Sequence, residues 1–275
     1  MRADVYLAEN GYAPSRQKAK MLIEAGAVLL DGKPLTKASF AVEENTIHSV
    51  TITETERYVG RGGYKLEAAL DAFGVNPAGR NSLDIGASTG GFTDCLLQNG
   101  ADHVTAIDAG SGQLASSLLS DSRVTNVEHY NARDLSREDF AKAPFDLVVA
   151  DVSFISQTYI LPRIPAILND GGIYIGLVKP QFEAGRSAIG KGGIVKEKKH
   201  RLAAAMRVYD CGVSLGLVPT GFVRSPIPGG DGNTEYLICF RKNDSGPVLL
   251  PDRISAIINQ KDVGKNETNC ADYKF

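Results

Sequence analysis

The sequence predicts an α/β protein: a doubly wound sheet domain preceded by a small α+β segment. Three observations lead to this class. From about residue 61 onward, short apolar runs such as FDLVVADV and GGIYIGLV alternate with helix-like stretches, the rhythm of a parallel sheet covered on both faces. One such run passes directly into a glycine loop, LDIGASTGGF, that opens a helix. Ahead of the charged link TETERYVG the rhythm differs, with one amphipathic helix and a short hairpin. The 275 residues, 43% hydrophobic and 23% charged, suffice for one large domain and a small one. A formal charge of -2 carries no global polyanion signal, so affinity for nucleic acid must rest on local clusters of Lys and Arg. The apolar runs are far shorter than the roughly 20 residues a membrane helix needs, so no stable membrane association is expected. Cys95, Cys211, Cys239 and Cys270 are widely spaced without a CxxC pair, and MRADVYLAEN has no leader pattern, as expected of a cytoplasmic chain with reduced thiols. His48, His103, His129 and His200 share no ligand spacing, and no metal is expected.

In the first segment, Ser15 follows a proline and caps RQKAKMLIEAG, with Gly26 as its stop. Ala19, Leu22 and Ile23 share one helical face, while Arg16, Lys18 and Lys20 project elsewhere. Asp31-Gly32 between short apolar runs signals a hairpin that returns Lys33 and Lys37 toward the same region. Composition alone favours a solvated helix face. The run SRQKAKMLIEAGAVLLDGKPLTKASF, with a closing strand, resembles the alpha-L RNA-binding motif of pseudouridine synthases, tyrosyl-tRNA synthetases and a small-subunit ribosomal protein. The resemblance implies an RNA-binding domain over residues 1–52, with Arg16, Lys18, Lys20 and Lys33 as contacts to structured RNA, chiefly to its phosphates.

Beyond a linker at residues 53–60, strands are expected near Ser82–Ile85, Val104–Asp108, Val124–His129, Phe145–Asp151, Ile173–Val178, Val218–Arg224 and Glu235–Arg241. The sheet domain is taken as residues 61–245, and residues 246–275 as an extension whose polar end is loosely held. In the glycine loop, Gly86, Gly90 and Gly91 let the backbone pass close to a ligand, with Ser88, Thr89 and Phe92 beside them. The loop lacks the GxGxxG spacing of dinucleotide sites and the GK[ST] ending of phosphate loops. Asp84 at the strand end suits a cationic ligand, and S-adenosyl-L-methionine carries a sulfonium and an ammonium. Asp108 ends the next strand at about the offset, roughly 20 residues, of a carboxylate that accepts ribose hydroxyls. Asn131 and Ala132, in HYNARDL, follow the next expected strand and are counted with the cofactor site.

Four ionisable residues are placed to converge at strand ends: Lys65 in GRGGYKLEAAL, Asp151 in VVADVSF, Lys179 in GLVKPQFE and Glu235 in GNTEYLICF. Singly, each is a solvated end residue. In order, they resemble the Lys-Asp-Lys-Glu tetrad of ribose 2'-O-methyltransferases of the FtsJ/RrmJ type. With LDIGASTGGFTDCLL, DVSFIS, LVKPQFEAGR and SPIPGGDGNTEYL, nearly the whole chain is similar to the TlyA family. Asn131 departs from the FtsJ pattern, which has an aspartate there; Asp134 is nearby.

The resemblance implies a class I, Rossmann-like methyltransferase that acts on a cytidine ribose of ribosomal RNA or ribosomal subunits. In it Lys179 is the base, Lys65 its cationic neighbour, Asp151 its orienting partner and Glu235 the group that holds Lys65. A free lysine titrates near ~10.4, so a lysine base needs burial or a nearby cation. Arg186 and Lys191 stand near a basic stretch, KGGIVKEKKHR, as further phosphate contacts. Lys65→Ala is expected at this level to leave stability nearly unchanged, alanine being the better helix former. Two other functions fit the family resemblance: a membrane-lytic protein, suggested by the label hemolysin, and a non-catalytic RNA-binding protein on a methyltransferase scaffold. The oligomeric state is not legible in the sequence.

Overall fold

The computed structural model describes residues 1–24, 27–43, 46–52 and 57–260. The expected stop at Gly26, most of the TETERY link and the end of the chain therefore lie outside the described residues. The chain divides into two compact units, Met1–Arg57 and Tyr58–Phe275.

In the first unit, α1 (Ala3–Glu9) and α2 (Arg16–Glu24) pack over a three-stranded sheet of β1 (Val28–Leu30), β2 (Lys33–Pro34) and β3 (Val50–Ile52), in the order β2-β1-β3. The Ser15 hydroxyl accepts from the Lys18 amide at 3.2 Å, so the expected cap forms. Asp31 and Gly32 have φ of 51° and 75°, both in the left-handed region that a two-residue hairpin turn demands, and Leu30 pairs with Lys33 across it. Helix α1 was not foreseen. It is only two turns long with no side-chain cap, and it is held from outside: the Ala3 amide donates to Phe40 O at 2.8 Å, and Ala3 and Leu7 are buried.

The second unit begins with α3 (Gly62–Phe73), then β4 (Asn81–Ile85), α4 (Gly91–Gln98), β5 (His103–Ile107), α5 (Ser116–Leu119) and β6 (Val124–Val127). Next come β7 (Phe145–Ala150), α6 (Ile164–Ile167), β8 (Leu168–Val178), α7 (Pro180–Glu183), α8 (Lys198–Ser214), β9 (Leu217–Arg224), β10 (Tyr236–Lys242) and α9 (Pro251–Asn259). The seven strands lie in the order β6-β5-β4-β7-β8-β10-β9; β10 alone runs antiparallel to its neighbours. Central strands are buried on both faces: along β7, Val148 and Ala150 enter one core and Leu147 and Val149 the other. That is why FDLVVADV reads as a continuous apolar run.

One boundary differs from expectation. Strand β8 starts at Leu168, where Leu168 pairs with Phe145 ahead of a register irregularity; the sequence Asn169-Asp170-Gly171-Gly172 hides this start because it looks like a turn. Within the C-terminal extension, helix α9 buries Ile254 and Ile258 in the core.

The register positions the site. Strand β4 lies between β5 and β7, the point at which strand order reverses and a crevice opens beyond the strand ends. Ile85 pairs with Ala150, which brings the loop from Gly86 beside Asp151. Tyr236 pairs with Val178, and one residue further the same antiparallel register sets Glu235 opposite Lys179.

Candidate active site

The glycine loop follows β4. The Gly86 and Ala87 amides donate to Ile107 O at 2.9 and 3.1 Å, which folds the loop over the end of β5. Gly86 has φ of 83°, and a Cβ there would lie 2.6 Å from Asp151 O, so this position admits only glycine. The other two glycines are close-packed against protein. A Cβ on Gly91 would meet Gly60 O and Gly63 N, each at 3.0 Å, and one on Gly90 would strike Leu114 and Leu118. The segments GRGG and STGG therefore lie backbone against backbone. Phe92 is buried in the core. Gly90, Gly91 and Phe92 thus help to support the loop, while Ser88 and Thr89 are exposed at its tip.

Asp84 is also placed differently from the expectation of an open carboxylate. It is wholly buried beneath the loop, where one carboxyl oxygen accepts from the Thr93 hydroxyl of α4 at 2.7 Å and the other, Oδ1, has no hydrogen-bond partner. Burial raises its pKa to about 7, opposed by Thr93 and reinforced by the charges of Asp151 and Asp108. The folded protein thus keeps this proton up to about pH 7, while the unfolded chain releases it near the ordinary 3.8. The native state binds the extra proton between those limits, so stability falls as pH rises through that window. The melting temperature of the wild type is expected to drop relative to Asp84→Asn as pH is raised from 4 to 7; parallel melting curves against pH would refute the buried acid.

Asp108 lies just past β5 and braces two loops: Oδ2 accepts from the Ser88 amide at 2.8 Å and Oδ1 from the Gly110 amide at 2.7 Å. Each oxygen retains a lone pair for a further donor. The Gln113 amide oxygen accepts from the Ser88 hydroxyl at 3.1 Å, a second brace that the sequence did not disclose. Asn131 uses its side-chain oxygen to cap a short 3-10 turn, accepting from the Arg133 amide at 3.1 Å; Ala132 is partly buried, and Asp134 is exposed.

The four residues at the strand ends form two ion pairs. Lys65, on the second turn of α3, reaches Glu235 with Nζ to Oε2 at 2.6 Å, and Glu235 is only 2% exposed. Lys179, directly after β8, lies 2.6 Å from Asp151 Oδ1 and donates to the Ser153 hydroxyl at 2.8 Å. The pairs adjoin: a Cβ on Gly62, one turn before Lys65, would lie 3.7 Å from Asp151 Oδ2. The glycines of GRGG therefore let α3 begin against the Asp151 carboxylate, which explains their place beside Lys65.

A loop after β7 carries Ser153 and Phe154. It is tied down by Glu183 of α7, which accepts from the Gln157 amide at 2.8 Å and from the Ser156 hydroxyl, and by the Gln157 amide group, which donates to Leu177 O at 2.5 Å. Burial pushes the pKa of Glu183 up. Phe154 is 90% exposed with φ of 63°, its ring 5.2 Å from that of Phe182. The left-handed backbone at Phe154 holds a large apolar ring out in solvent, next to Ser153 and its contact with Lys179. In the sequence, DVSFIS does not mark Ser153 or Phe154 as site residues, because nothing local shows which way either points.

In the first unit, Arg16 contacts Asp4 at 3.3 Å, and Arg2 contacts the other Asp4 oxygen at 2.9 Å. These guanidiniums hold the pKa of Asp4 down at about 2, Arg2 contributing most. Arg16, Lys20 and Lys33 are exposed and Lys18 partly so; Arg2, which the sequence did not single out, joins them. The side chains of Arg186 and Lys191 lie outside what the structure describes.

Residues 58–242 match the FtsJ-like methyltransferase family, and residues 1–47 match the S4 domain. The chain is 45% identical over 241 residues to the 16S/23S rRNA (cytidine-2'-O)-methyltransferase TlyA of Mycobacterium tuberculosis, spanning 87% of this chain and 89% of that protein. It is 41% identical to Hemolysin A of Brachyspira hyodysenteriae over 87% of this chain and 99% of the other. A solved structure of a candidate hemolysin from Streptococcus thermophilus superposes with a TM-score of 0.74 at 41% identity, over 94% of each chain.

Proposed function

The chain belongs to the FtsJ-like methyltransferase family and, within it, to the TlyA group that carries an S4 domain, and on that premise we propose that it methylates a ribose 2'-hydroxyl, that of a cytidine in ribosomal RNA. The observation that carries the reading is the meeting of a buried and a partly buried lysine–carboxylate pair at the end of β8, beside the glycine loop. S-adenosyl-L-methionine is the methyl donor in this reading. The crevice suits it: Asp108 keeps acceptor capacity on both oxygens beside the loop, and the Asp151 carboxylate lies at the same strand ends. Asp108 would accept the ribose hydroxyls, and the loop tip at Ser88 and Thr89 would pass along the methionine part. When bound, the cofactor supplies an electrophilic methyl group.

The chain's own residues supply the rest. A ribose hydroxyl is a weak nucleophile, and its proton must leave as the new bond forms. Lys179, after giving up its own ammonium proton to solvent, takes that proton at Nζ as the neutral amine. Asp151 and Ser153 fix the amine at one point and one direction. Asp151 would also face the cationic cofactor when it is bound, which would weaken its hold on the lysine proton. Lys65, anchored by Glu235, contributes a fixed positive charge for the oxygen as it becomes anionic. General base action is worth roughly 10² to 10⁴-fold, and alignment of nucleophile and methyl group about 7 to 11 kcal/mol, so the rigid pairs serve both. Phe154 offers its ring to the target base once that base leaves its stack. The S4 unit supplies Arg2, Arg16, Lys20 and Lys33 for RNA phosphates.

The test is transfer of tritiated methyl groups to ribosomal RNA from cells lacking the gene, followed by mapping of the labelled riboses. Label on a cytidine 2'-oxygen is the expected result. Methylation of bases, or none, would dismiss the reading. Leakage of dye from liposomes at the same protein concentration would instead support a lytic protein, the function named for the Brachyspira relative.

A further inference from the structure

Three consecutive residues ahead of β10 each fasten a different element. Glu235 holds Lys65 of α3 at 2.6 Å. Thr234 accepts from Arg201 of α8 at 3.0 Å. Asn233, 1% exposed, holds the glycine loop that precedes α8: its Oδ1 accepts from the Val195 amide at 2.9 Å and its Nδ2 donates to Gly193 O at 3.0 Å. One buried amide thus pairs with the loop as a strand would, using both of its functions. Its own carbonyl accepts from the Gly229 amide at 2.9 Å, so the pin is itself fixed.

The consequence falls on Lys196. Val195 is buried at 1%, and the next residue emerges exposed. The neighbouring cations are engaged: Lys198 donates to Asn259 O and Gln260 O at 2.9 and 3.0 Å, and Lys199 pairs with Glu197 at 2.8 Å. Lys196 has no ion pair among the described residues. It is one residue from the pin, and the pin is two residues from Glu235. An exposed ammonium without an ion pair, next to a backbone pinned two residues from Glu235, suits a phosphate. In RNA the carbon next to the one bearing the 2'-hydroxyl carries the 3'-phosphate, so a ribose seated against Lys179 carries a phosphate only a few bonds away.

We propose that Lys196 contacts the RNA phosphate flanking the target ribose, and that Asn233 is the positioning residue that fixes it there. The inference deepens the reading above and rests on it for the identity of the substrate. Asn233 acts through Lys196, so its loss and the loss of the lysine should not add.

The experiment uses the full-length protein with S-adenosylhomocysteine, titrated with ribosomal RNA from cells lacking the gene at several salt concentrations. Lys196→Ala and Lys196→Glu are expected to weaken binding several-fold and to lower the slope of log affinity against log salt by about 0.7 to 0.9, the share of one phosphate. Asn233→Ala should show the same loss of slope, the double variant Asn233→Ala/Lys196→Ala no more than the worse single, and Thr234→Ala an unchanged slope. Cofactor affinity should stay at the wild-type value in all of them, which a general structural defect at Asn233 would not allow. An unchanged slope in Lys196→Glu overturns the phosphate contact; this exposed position also decides the matter should Asn233→Ala fail to fold. Additive losses in the double variant overturn the role of Asn233. A wild-type protein that binds RNA in this way without methylating ribose would refute the reaction instead, through the tritium assay.

Discussion

Lys179→Ala is expected to lower single-turnover methyl transfer to ribosomal RNA by at least ~10²-fold at saturating cofactor, with RNA and cofactor affinities close to wild type. The geometry separates chemistry from binding at this residue. Its Nζ is committed to Asp151 and Ser153 inside the crevice, and the side chain is only 11% exposed, so it offers little to a phosphate outside. Asp151, at 21% exposure, loses its partner without becoming a deeply buried lone charge, so the variant should fold. Ser153→Ala is a milder version of the same test: it removes one of two contacts that orient the amine and should slow transfer by less than the loss of the lysine. A rate for Lys179→Ala within a few-fold of wild type would assign the proton to another group.

Lys65→Ala is expected to cost both activity and stability, and here the structure overturns the estimate drawn from helix propensity. The lysine projects from α3 into a buried contact with Glu235, which is 2% exposed and joined to it across a separation of 170 residues. Removing one partner of a buried pair strands the other, at a typical cost of roughly 3 to 5 kcal/mol. Replacing both by apolar residues is often close to neutral. The melting temperature should therefore fall markedly in Lys65→Ala and recover much of the loss in Lys65→Met/Glu235→Leu, while methyl transfer stays low in both. A double variant that folds well and turns over normally would leave the pair as structural only; a stable Lys65→Ala would contradict its burial.

How much of this was legible in the sequence differs from element to element. The helix cap at Ser15, the Asp31-Gly32 turn and the strands of the large sheet were readable because each depends on neighbouring residues: a side-chain oxygen three residues from an amide, two left-handed residues in a turn, a run apolar enough to be buried on both faces. Helix α1, the early start of β8 and the packing of α9 were not, since each is held by partners distant in the chain.

The candidate site divides along the same line. The sequence by itself determined which residues stand at the strand ends, because an acid or lysine that follows an apolar strand must emerge where strands stop. It also marked Asp84 and Asp108 for the crevice. Only the tertiary structure decided what each one meets. Continuing the register of β10 against β8 sets Glu235 opposite Lys179, yet the carboxylate turns to Lys65 of α3 while Lys179 turns to Asp151 of the adjacent strand. Asp84 was read as open to a cation and is instead sealed under the loop, and the glycines assigned to a ligand also support the loop. The physical reason is that strand ends follow from local hydrophobicity, whereas ion-pair choice and burial follow from register and from the approach of helices far along the chain.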